Sequence, residues 1–285
     1  MIETNALPTD EIARIDDTVL PPALQAMLAG LDEFKDQRRR IAVFDLDNTL
    51  LVGDIGDAVF AKLTMQGYMT RFRWEEYMRL SASNRREAYS RIVTSMAGLS
   101  ERLVQKTTLD ILGCSDRYLE MDRATVPVPY PHPMMRRLVS TLKSKEYRIV
   151  VISASNEISA RIAAWKLFGI APYNVFGIRQ LIRDGILTDH LLEPVPFGEG
   201  KVRVYRKFVG ERNPVIAAGD SPFDLPMLSL VGAEGLVLWV GEEKADSIDA
   251  RQEFRTPSNF YVVPRPTTSE VNEKGSDDCC TQDEG

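Results

Sequence analysis

The run Ile41-Ala42-Val43-Phe44-Asp45-Leu46-Asp47-Asn48-Thr49 decides the fold of this 285-residue chain. Its first four residues are apolar, which is typical of a strand buried in a parallel sheet. Two aspartates follow directly, although an ionised side chain without a partner is costly to bury. Because ligands bind beyond the carboxyl ends of parallel strands, we expect Asp45 and Asp47 to face a cleft. A turn that simply ends the strand is the alternative interpretation.

Further apolar segments of this kind alternate with helical patterns. Strands are predicted at 148–152, 214–218 and 236–240, with additional strands at 174–179 and 260–263. Helices are predicted at 133–145, which begins with proline, and at 159–168. Strands that alternate with helices indicate an α/β fold with a doubly wound parallel sheet.

The interval between the first and second strands is too long for a crossover connection. It contains helical patterns at 58–66, 74–80, 85–96 and 101–111. We therefore predict a small α-helical cap domain at 53–122. The cap is inserted into a discontinuous core domain formed by 1–52 and 123–264. The polar and acidic remainder, residues 265–285, is predicted to be a disordered tail.

Composition and charge exclude several classes of partner. A net charge of −6 argues against a broad nucleic-acid surface, which would have to be basic. No apolar run approaches the roughly 20 residues that span a bilayer, and the N-terminus has no secretory signal. The three cysteines, Cys114 and the pair Cys279-Cys280, match neither a zinc site nor a disulfide framework. We predict a cytoplasmic protein that binds a small molecule; the oligomeric state is not readable here.

A second pair of carboxylates follows the strand predicted at 214–218. The pair is Asp220 and Asp224, in the run Gly219-Asp220-Ser221-Pro222-Phe223-Asp224. Two acidic strand ends in one sheet can share a hard cation. Mg²⁺ is the cation that fits, because it is held by one or two carboxylates together with waters and substrate phosphate.

Groups suited to phosphate occur in two other segments. Ser153-Ala154-Ser155-Asn156 stands between a predicted strand and a predicted helix. A hydroxyl and free backbone N–H groups at a helix N-terminus form a phosphate cradle. Lys201 offers a cation for the same phosphate.

In this order, the four segments resemble the motifs of the haloacid dehalogenase superfamily, over roughly residues 41–240. The matches are Asp45, Asp47 and Thr49 for Asp-x-Asp-x-Thr, Ser153 for a serine or threonine, Lys201 for a lysine, and Gly219, Asp220 and Asp224 for Gly-Asp-x-x-x-Asp. The resemblance implies a Rossmann-like core and phosphoryl-transfer chemistry.

The resemblance also assigns the reacting groups and a metal. Asp45 would be the nucleophile of a Mg²⁺-dependent phosphomonoesterase and would form an aspartyl-phosphate. Asp47 would protonate the leaving alcohol and then activate water. Mg²⁺ would be held by Asp45, Asp220 and the backbone carbonyl of Asp47. Superfamily members that cleave carbon–halogen bonds lack the second aspartate, so Asp47 favours phosphate chemistry.

Phosphate binding would fall to Ser153, the backbone of Ala154 and Lys201. Asp224 would orient Lys201. Two alternatives remain open at this point. One is a phosphotransferase that passes the phosphoryl group to an acceptor alcohol, and the other is a non-catalytic binding protein on the same fold.

The position of the cap resembles the phosphoserine phosphatase branch of the superfamily. In that branch an acidic residue nine positions after the nucleophile contacts the substrate ammonium, and Asp54 holds this position. Capping of the first cap helix by Asp54 is an equal alternative. Ala154 and Ser155 differ from the glycines of that branch.

The run from Ser153 to Glu157, taken with 173–179, looks more like phosphocholine and phosphoethanolamine phosphatases. A quaternary ammonium needs an aromatic cage, for which Trp74 and Tyr77 of the cap are available. Packing in the cap core is the alternative role for these rings. Cap arginines could instead meet a substrate carboxylate; they are Arg71, Arg73, Arg85 and Arg86.

Overall fold

A computed structural model of the chain describes residues 19–31, 40–121, 124–241 and 260–266. Residues 267–285 of the predicted tail, with the Cys279-Cys280 pair, lie outside the described residues, as does Asp122 at the predicted cap boundary. Within the described part, no helix combines the length and the apolar character needed to cross a membrane.

The described residues form nine α-helices and eleven strands. The helices are α1 (Pro22–Leu31), α2 (Ile55–Met65), α3 (Trp74–Ser83), α4 (Arg85–Ser95), α5 (Glu101–Leu112), α6 (Pro133–Ser144), α7 (Glu157–Phe168), α8 (Glu199–Phe208) and α9 (Leu225–Leu228). The strands are β1 (Ile41–Phe44), β2 (Leu51–Val52), β3 (Tyr118–Met121), β4 (Ala124–Pro127), β5 (Tyr130–Pro131), β6 (Arg148–Asn156), β7 (Val175–Arg183), β8 (Ile186–Leu192), β9 (Ile216–Gly219), β10 (Leu236–Val240) and β11 (Phe260–Val263).

Seven of these strands form the central sheet, in the order β11-β10-β9-β1-β6-β7-β8. Every neighbouring pair is parallel except β7 and β8, which form an antiparallel hairpin. The predicted parallel sheet is therefore confirmed, with an antiparallel edge strand that was not predicted. Strand β8 has exposed and half-buried residues with Leu187 alone buried, so it lacks the continuous apolar run that marks the central strands.

The central strand β1 divides its side chains between two apolar layers. Ala42 and Phe44 belong to one buried cluster, and Ile41 and Val43 belong to the other. Alternation along a strand sends successive side chains to opposite faces of the sheet. Helices α6 and α7 pack in the first cluster, and helices α8 and α9 pack in the second. Both faces of the sheet are thus covered by helices, as in a doubly wound fold.

The four helices α2 to α5 lie within the range predicted for the cap. Their N-termini are capped by side chains of Asp54, Asn84 and Ser100 at the starts of α2, α4 and α5. The antiparallel pair β3–β4 was not predicted, and β4 lies beyond the predicted boundary. The division into cap and core domains stays a prediction.

The tip of the β7–β8 hairpin bonds the turn between α4 and α5. The Gly98 N–H donates to the Leu187 carbonyl, and the Leu187 N–H donates to the Leu99 carbonyl, each at 2.9 Å. The Glu101 N–H donates to the Gly185 carbonyl at 2.8 Å. These bonds fix the turn between α4 and α5 against the sheet.

Candidate active site

Adjacent strand ends bring the predicted site residues together. Strand β1 pairs with β6 on one side and β9 on the other, so the segments that follow them meet at one edge of the sheet. Asp45 and Asp47 follow β1, and Asp220 follows β9. Ser153 lies within β6, which extends four residues beyond its predicted end. Lys201 lies in the first turn of α8.

Lys201 links two of the carboxylates. Its Nζ donates to Oδ1 of Asp45 and to Oδ1 of Asp224, each at 2.5 Å. The side chains of all three residues are almost completely buried. One ammonium thus offsets part of the charge of two buried carboxylates, which would otherwise be very costly to enclose.

Asp224 also holds the backbone of the loop that carries Asp220. Its Oδ2 accepts from the Asp220 N–H at 3.3 Å, and from the N–H and hydroxyl of Ser221 at 3.1 and 2.8 Å. Gly219 is required beside it, because a Cβ at this position would lie 2.5 Å from the Asp224 Cβ. The Gly-Asp-x-x-x-Asp spacing therefore builds a closed loop that fixes Asp220 in place.

Three carboxylates could hold a metal ion. Asp45, Asp220 and Asp224 each offer an oxygen, and these oxygens lie within 4.8 Å of one another. The Thr49 hydroxyl lies between two of the residues, at 3.2 Å from Asp45 Oδ2 and 3.4 Å from Asp220 Oδ1. Oxygen ligands of this type suit Mg²⁺. Lys201 bonds Oδ1 of Asp45 and of Asp224, and Asp224 Oδ2 accepts from the Asp220 loop. Oδ2 of Asp45 and the Asp220 carboxylate are therefore the groups best placed for a cation.

The charges of this cluster also favour a cation. Burial raises the pKa of Asp45 to about 8, and the Lys201 ammonium opposes the rise. Burial, with Asp224 and Asp45 nearby, raises the pKa of Asp220 well above its usual range. Carboxylates in such surroundings lack compensating positive charge, which a divalent cation would supply.

Asp47 is held differently, by neutral donors. Its Oδ1 accepts from the Ile55 N–H at 2.8 Å, and its Oδ2 accepts from the hydroxyls of Ser153 at 2.9 Å and Ser155 at 2.8 Å. Burial and the nearby Asp54 raise the pKa of Asp47 to about 7, while these hydrogen bonds oppose the rise. A carboxyl with this pKa can both give and take a proton near neutral pH.

The predicted phosphate-binding residues are not equally accessible. Ser153 is completely buried, and its Oγ both donates to Asp47 and accepts from the Ser155 N–H at 2.9 Å. Ala154 and Ser155 line the pocket, together with Lys201. Asn156 caps α7 by accepting from the Ile158 and Ser159 N–H groups. Of the four residues in the predicted phosphate cradle, Ala154 and Ser155 therefore face the pocket.

The pocket is a small cavity of about 60 Å³ between the strand ends and the cap. Such a volume holds a few water-sized groups, so it suits a compact ligand. Its lining residues are Asp45, Asp47, Asn48, Asp54, Arg85, Tyr89, Ala154, Ser155, Phe197, Lys201, Asp220, Ser221, Phe223 and Asp224.

Asp54 caps the first cap helix and also lines the pocket. Its Oδ1 accepts from the Asp57 N–H at 2.9 Å and so caps α2. Its Oδ2 accepts from the Tyr89 hydroxyl at 3.2 Å, and the residue lines the pocket. Burial and the neighbouring Asp57 raise the pKa of Asp54 to about 7. A ligand ammonium would offset this charge.

Trp74 and Tyr77 lie elsewhere, because their rings pack in the cap core. The ring of Trp74 lies 5.8 Å from that of Phe60 and 5.3 Å from that of Tyr77. The Tyr77 hydroxyl donates to Asp57 Oδ1 at 2.6 Å, and neither residue lines the pocket. The predicted cage formed by these two residues is therefore corrected to core packing.

Other aromatic rings line the pocket, and sequence reasoning missed them. The ring of Tyr89 lies 6.4 Å from that of Phe197, which lies 4.4 Å from that of Phe223. The guanidinium of Arg85 lies 5.7 Å from the centre of the Phe223 ring. Phe223 stands inside the Gly-Asp-x-x-x-Asp motif, so its position was readable. Nothing in the sequence distinguishes Tyr89 or Phe197 from ordinary core residues.

Arg265 was also missed, and it contacts a metal-site carboxylate. Its guanidinium lies 3.4 Å from Asp220 Oδ2, and its side chain is 57% exposed. The preceding carbonyl, that of Pro264, accepts from Nε2 of the buried His132 at 3.0 Å. The chain after β11 is thereby held near the end of β9.

Comparisons with known proteins agree with this arrangement. The family described as haloacid dehalogenase-like hydrolase matches residues 42–229. A curated relative, phosphoserine phosphatase SerB2 from Mycobacterium tuberculosis, is 25% identical over 199 residues, which cover 68% of this chain. The match covers 43% of that relative, so this chain spans less than half of its length.

Two solved structures share the fold at low identity. A functionally unknown protein from Anaerococcus prevotii has a TM-score of 0.65 and 16% identity, over 87% of this chain and 93% of that one. A phosphoserine phosphatase, solved as a phospho-aspartyl intermediate analogue, has a TM-score of 0.52 and 16% identity, over 82% and 98%. The family match covers well over half of the sequence, and it includes every segment that builds the acidic cluster and the Lys201 pair. The chain therefore belongs to the family of haloacid dehalogenase-like hydrolases.

Proposed function

We propose that this protein is a Mg²⁺-dependent phosphomonoesterase that acts through an aspartyl-phosphate on Asp45. The observation that supports it most is the meeting of two unlike carboxyls in one pocket. Asp45 is paired with the ammonium of Lys201, whereas Asp47 is held by hydroxyl and N–H groups. One is suited to attack phosphorus, and the other to move a proton.

In the first half of the reaction, an oxygen of Asp45 attacks phosphorus and the bond from phosphorus to the alcohol oxygen breaks. Asp47 gives its proton to that oxygen, so the alcohol leaves neutral. Lys201, the Ala154 N–H and the Ser153 hydroxyl contact the phosphoryl oxygens in this proposal.

In the second half, water attacks the phosphorus of the aspartyl-phosphate. Asp47 takes a proton from the water, and the bond to Asp45 breaks to release inorganic phosphate. Asp224 keeps Lys201 and the Asp220 loop in place throughout, through contacts of 2.5 to 3.3 Å.

Asp45, Asp220 and the Asp47 carbonyl would hold Mg²⁺, with Asp224 beside them. When bound, the ion supplies positive charge that offsets the repulsion between carboxylate and phosphate. These ligands fit Mg²⁺, because all of them are oxygens. Lys201 alone does not offset the negative charge of the carboxylates.

The cap side of the pocket supports an amino alcohol as the leaving group. Asp54 offers a carboxylate for an ammonium, and the rings of Tyr89, Phe197 and Phe223 lie beside it. Arg85 offers a cation for a carboxylate. Phosphoserine uses both charges, whereas phosphoethanolamine and phosphocholine use only the first. We place phosphoserine first for this reason.

The test is phosphate release from phosphoserine, phosphoethanolamine, phosphocholine and a sugar phosphate, with and without Mg²⁺. Arg85→Gln should raise KM for phosphoserine about tenfold and leave phosphoethanolamine unchanged, since only the first has a carboxylate. Arg86→Gln, also exposed but not in the pocket, is the matched control. Equal effects on both esters would contradict the carboxylate contact.

The same screen separates the alternatives. A phosphotransferase would need an added alcohol before it turned over, and a binding protein would bind the ester without releasing phosphate. The cytoplasmic location stays a prediction.

A further inference from the structure

Ser155 connects three parts of the site. Its hydroxyl donates to Asp47 Oδ2 at 2.8 Å, and its N–H donates to Ser153 Oγ at 2.9 Å. The side chain is buried, yet it lines the pocket. A Cβ added to Gly56, in the first turn of α2, would lie 2.6 Å from the Ser155 Oγ. The hydroxyl is therefore enclosed between Asp47 and the cap.

We propose that Ser155 is a positioning residue that holds the carboxyl of Asp47 in line with the leaving-group oxygen. The proposal rests on the function proposed above, in which Asp47 protonates the alcohol. It concerns the orientation of the carboxyl and assigns no contact between Ser155 and the phosphoryl group.

The surroundings of Asp47 explain why Ser155 has this role rather than Ser153. Both hydroxyls donate to the same oxygen. In the proposed reaction the Ser153 hydroxyl turns to a phosphoryl oxygen, so its bond to Asp47 is lost when substrate binds. Ser155 and the Ile55 N–H are then the donors that still hold the carboxyl, one on each oxygen.

Loss of the Ser155 hydroxyl would leave the Asp47 carboxyl held by the Ile55 N–H alone, so the carboxyl could turn away from the leaving-group oxygen. Misplacement of a reacting group by about 1 Å can cost about a hundredfold in rate. The cost depends on how much the leaving group needs the proton. An acidic leaving group departs unaided, whereas a basic one depends on Asp47.

The experiment is a leaving-group series measured with Ser155→Ala. Aryl phosphates of similar size, such as p-nitrophenyl phosphate and phenyl phosphate, are compared with the best alkyl phosphate from the screen. The measured quantity is kcat/KM, which reports the step that forms the aspartyl-phosphate. We expect a loss of about tenfold to a hundredfold for the alkyl ester, a smaller loss for phenyl phosphate, and less than about twofold for p-nitrophenyl phosphate.

The control is Ser159→Ala, which also removes a buried hydroxyl. That hydroxyl accepts from Thr108 Oγ1 of the cap at 3.0 Å and does not line the pocket. It should lower thermal stability without any dependence on the leaving group. Equal loss on all esters in Ser155→Ala, or no loss, would overturn the positioning role. Absence of phosphate release by the unmodified protein would instead refute the proposed function itself.

Discussion

The two walls of the pocket differ in how their charged groups are compensated. On the core wall, the ammonium of Lys201 bonds Asp45 and Asp224 at 2.5 Å, and Asp224 closes the Asp220 loop. On the cap wall, Asp54 accepts hydrogen bonds from a tyrosine hydroxyl and a backbone N–H, and no cation within the described part of the chain pairs with it. The core wall thus contains its own cation and needs a metal ion for the rest of its charge, whereas the cap wall leaves a partly buried carboxylate to be met by the ligand.

We infer from this difference that the core wall performs the proposed reaction and that the cap wall selects the alcohol. Preorganised, paired groups cost little to arrange in the transition state, so they suit catalysis. A partly buried carboxylate with a raised pKa gains most from a cationic ligand, so it suits recognition. Substitutions on the core wall should therefore lower turnover for every ester, and those on the cap wall should change the preference among esters.

Asp45→Asn carries the largest expected effect. Removal of the nucleophile should lower kcat for every accepted ester by at least about a thousandfold, because no other group can form the covalent intermediate. Phosphate release and the thermal unfolding midpoint are measured together. Asp189→Asn, an exposed aspartate on β8, serves as the control and should retain full activity. A folded Asp45→Asn protein with normal turnover would rule out the covalent route.

The core wall could be predicted from the sequence because its residues stand at fixed distances from strand ends. Asp45, Asp47 and Asp220 follow apolar runs that parallel pairing must align. The cap wall could not be predicted in the same way. Trp74 and Tyr89 are both aromatic residues on cap helices, and only the packing of the cap decides that Tyr89 lines the pocket.

The sequence pattern also could not predict which distant parts of the chain reach the site. Phe197 precedes α8, and Arg265 follows the edge strand; each reaches the pocket region only through the path of the chain. The strand β8 was missed because most of its residues are exposed or half-buried, so it has no continuous apolar run. By contrast, β10 was predicted to its end residues, since all five of its residues are apolar and buried.

Asp54→Asn tests the cap wall with the next largest effect. Asparagine caps a helix about as well as aspartate, so the substitution removes the charge and keeps the cap of α2. We expect KM for ammonium-bearing esters to rise about tenfold, with little change for p-nitrophenyl phosphate. Loss of kcat on all esters alike would place Asp54 with the catalytic groups and contradict a separate role for the cap wall.

The stability of the protein without bound metal tests the charge of the core wall. Burial raises the pKa of Asp45 to about 8. The folded state therefore holds this proton up to a higher pH than the unfolded state, and the contribution of the group to stability falls as pH rises from about 4 to 8. Without metal, Asp45→Asn should unfold about 2–4 °C above the unmodified protein at pH 8, with a smaller difference at pH 5.

Added Mg²⁺ should reverse this order at pH 8, because the ion binds the ionised cluster of the unmodified protein. Thermal unfolding in chelator and in Mg²⁺ gives both results. If Asp45→Asn is less stable than the unmodified protein at pH 8 without metal, the inference that the acidic cluster lacks compensating positive charge is wrong.

Arg265→Gln has the smallest expected effect. The exposed guanidinium of Arg265 lies 3.4 Å from Asp220 and repels a cation bound there. Its removal should tighten Mg²⁺ binding about two- to fivefold, in keeping with the modest energy of exposed ion pairs. The Mg²⁺ dependence of the unfolding temperature measures the affinity, with the exposed Arg102→Gln as control. Weaker binding in Arg265→Gln would mean that Arg265 orients Asp220 for the metal.

The most direct test of the account is a single turnover in water enriched in the heavy isotope of oxygen. The protein is in excess over the phosphate ester, and the peptide that contains Asp45 is analysed by mass spectrometry after that one turnover. If water attacks the phosphorus of an aspartyl-phosphate, the heavy oxygen appears in inorganic phosphate alone, and bond cleavage leaves Asp45 unlabelled. A separate acid quench during turnover should trap one phosphoryl group on Asp45. Phosphate release without a phosphorylated Asp45 would contradict a covalent mechanism through Asp45.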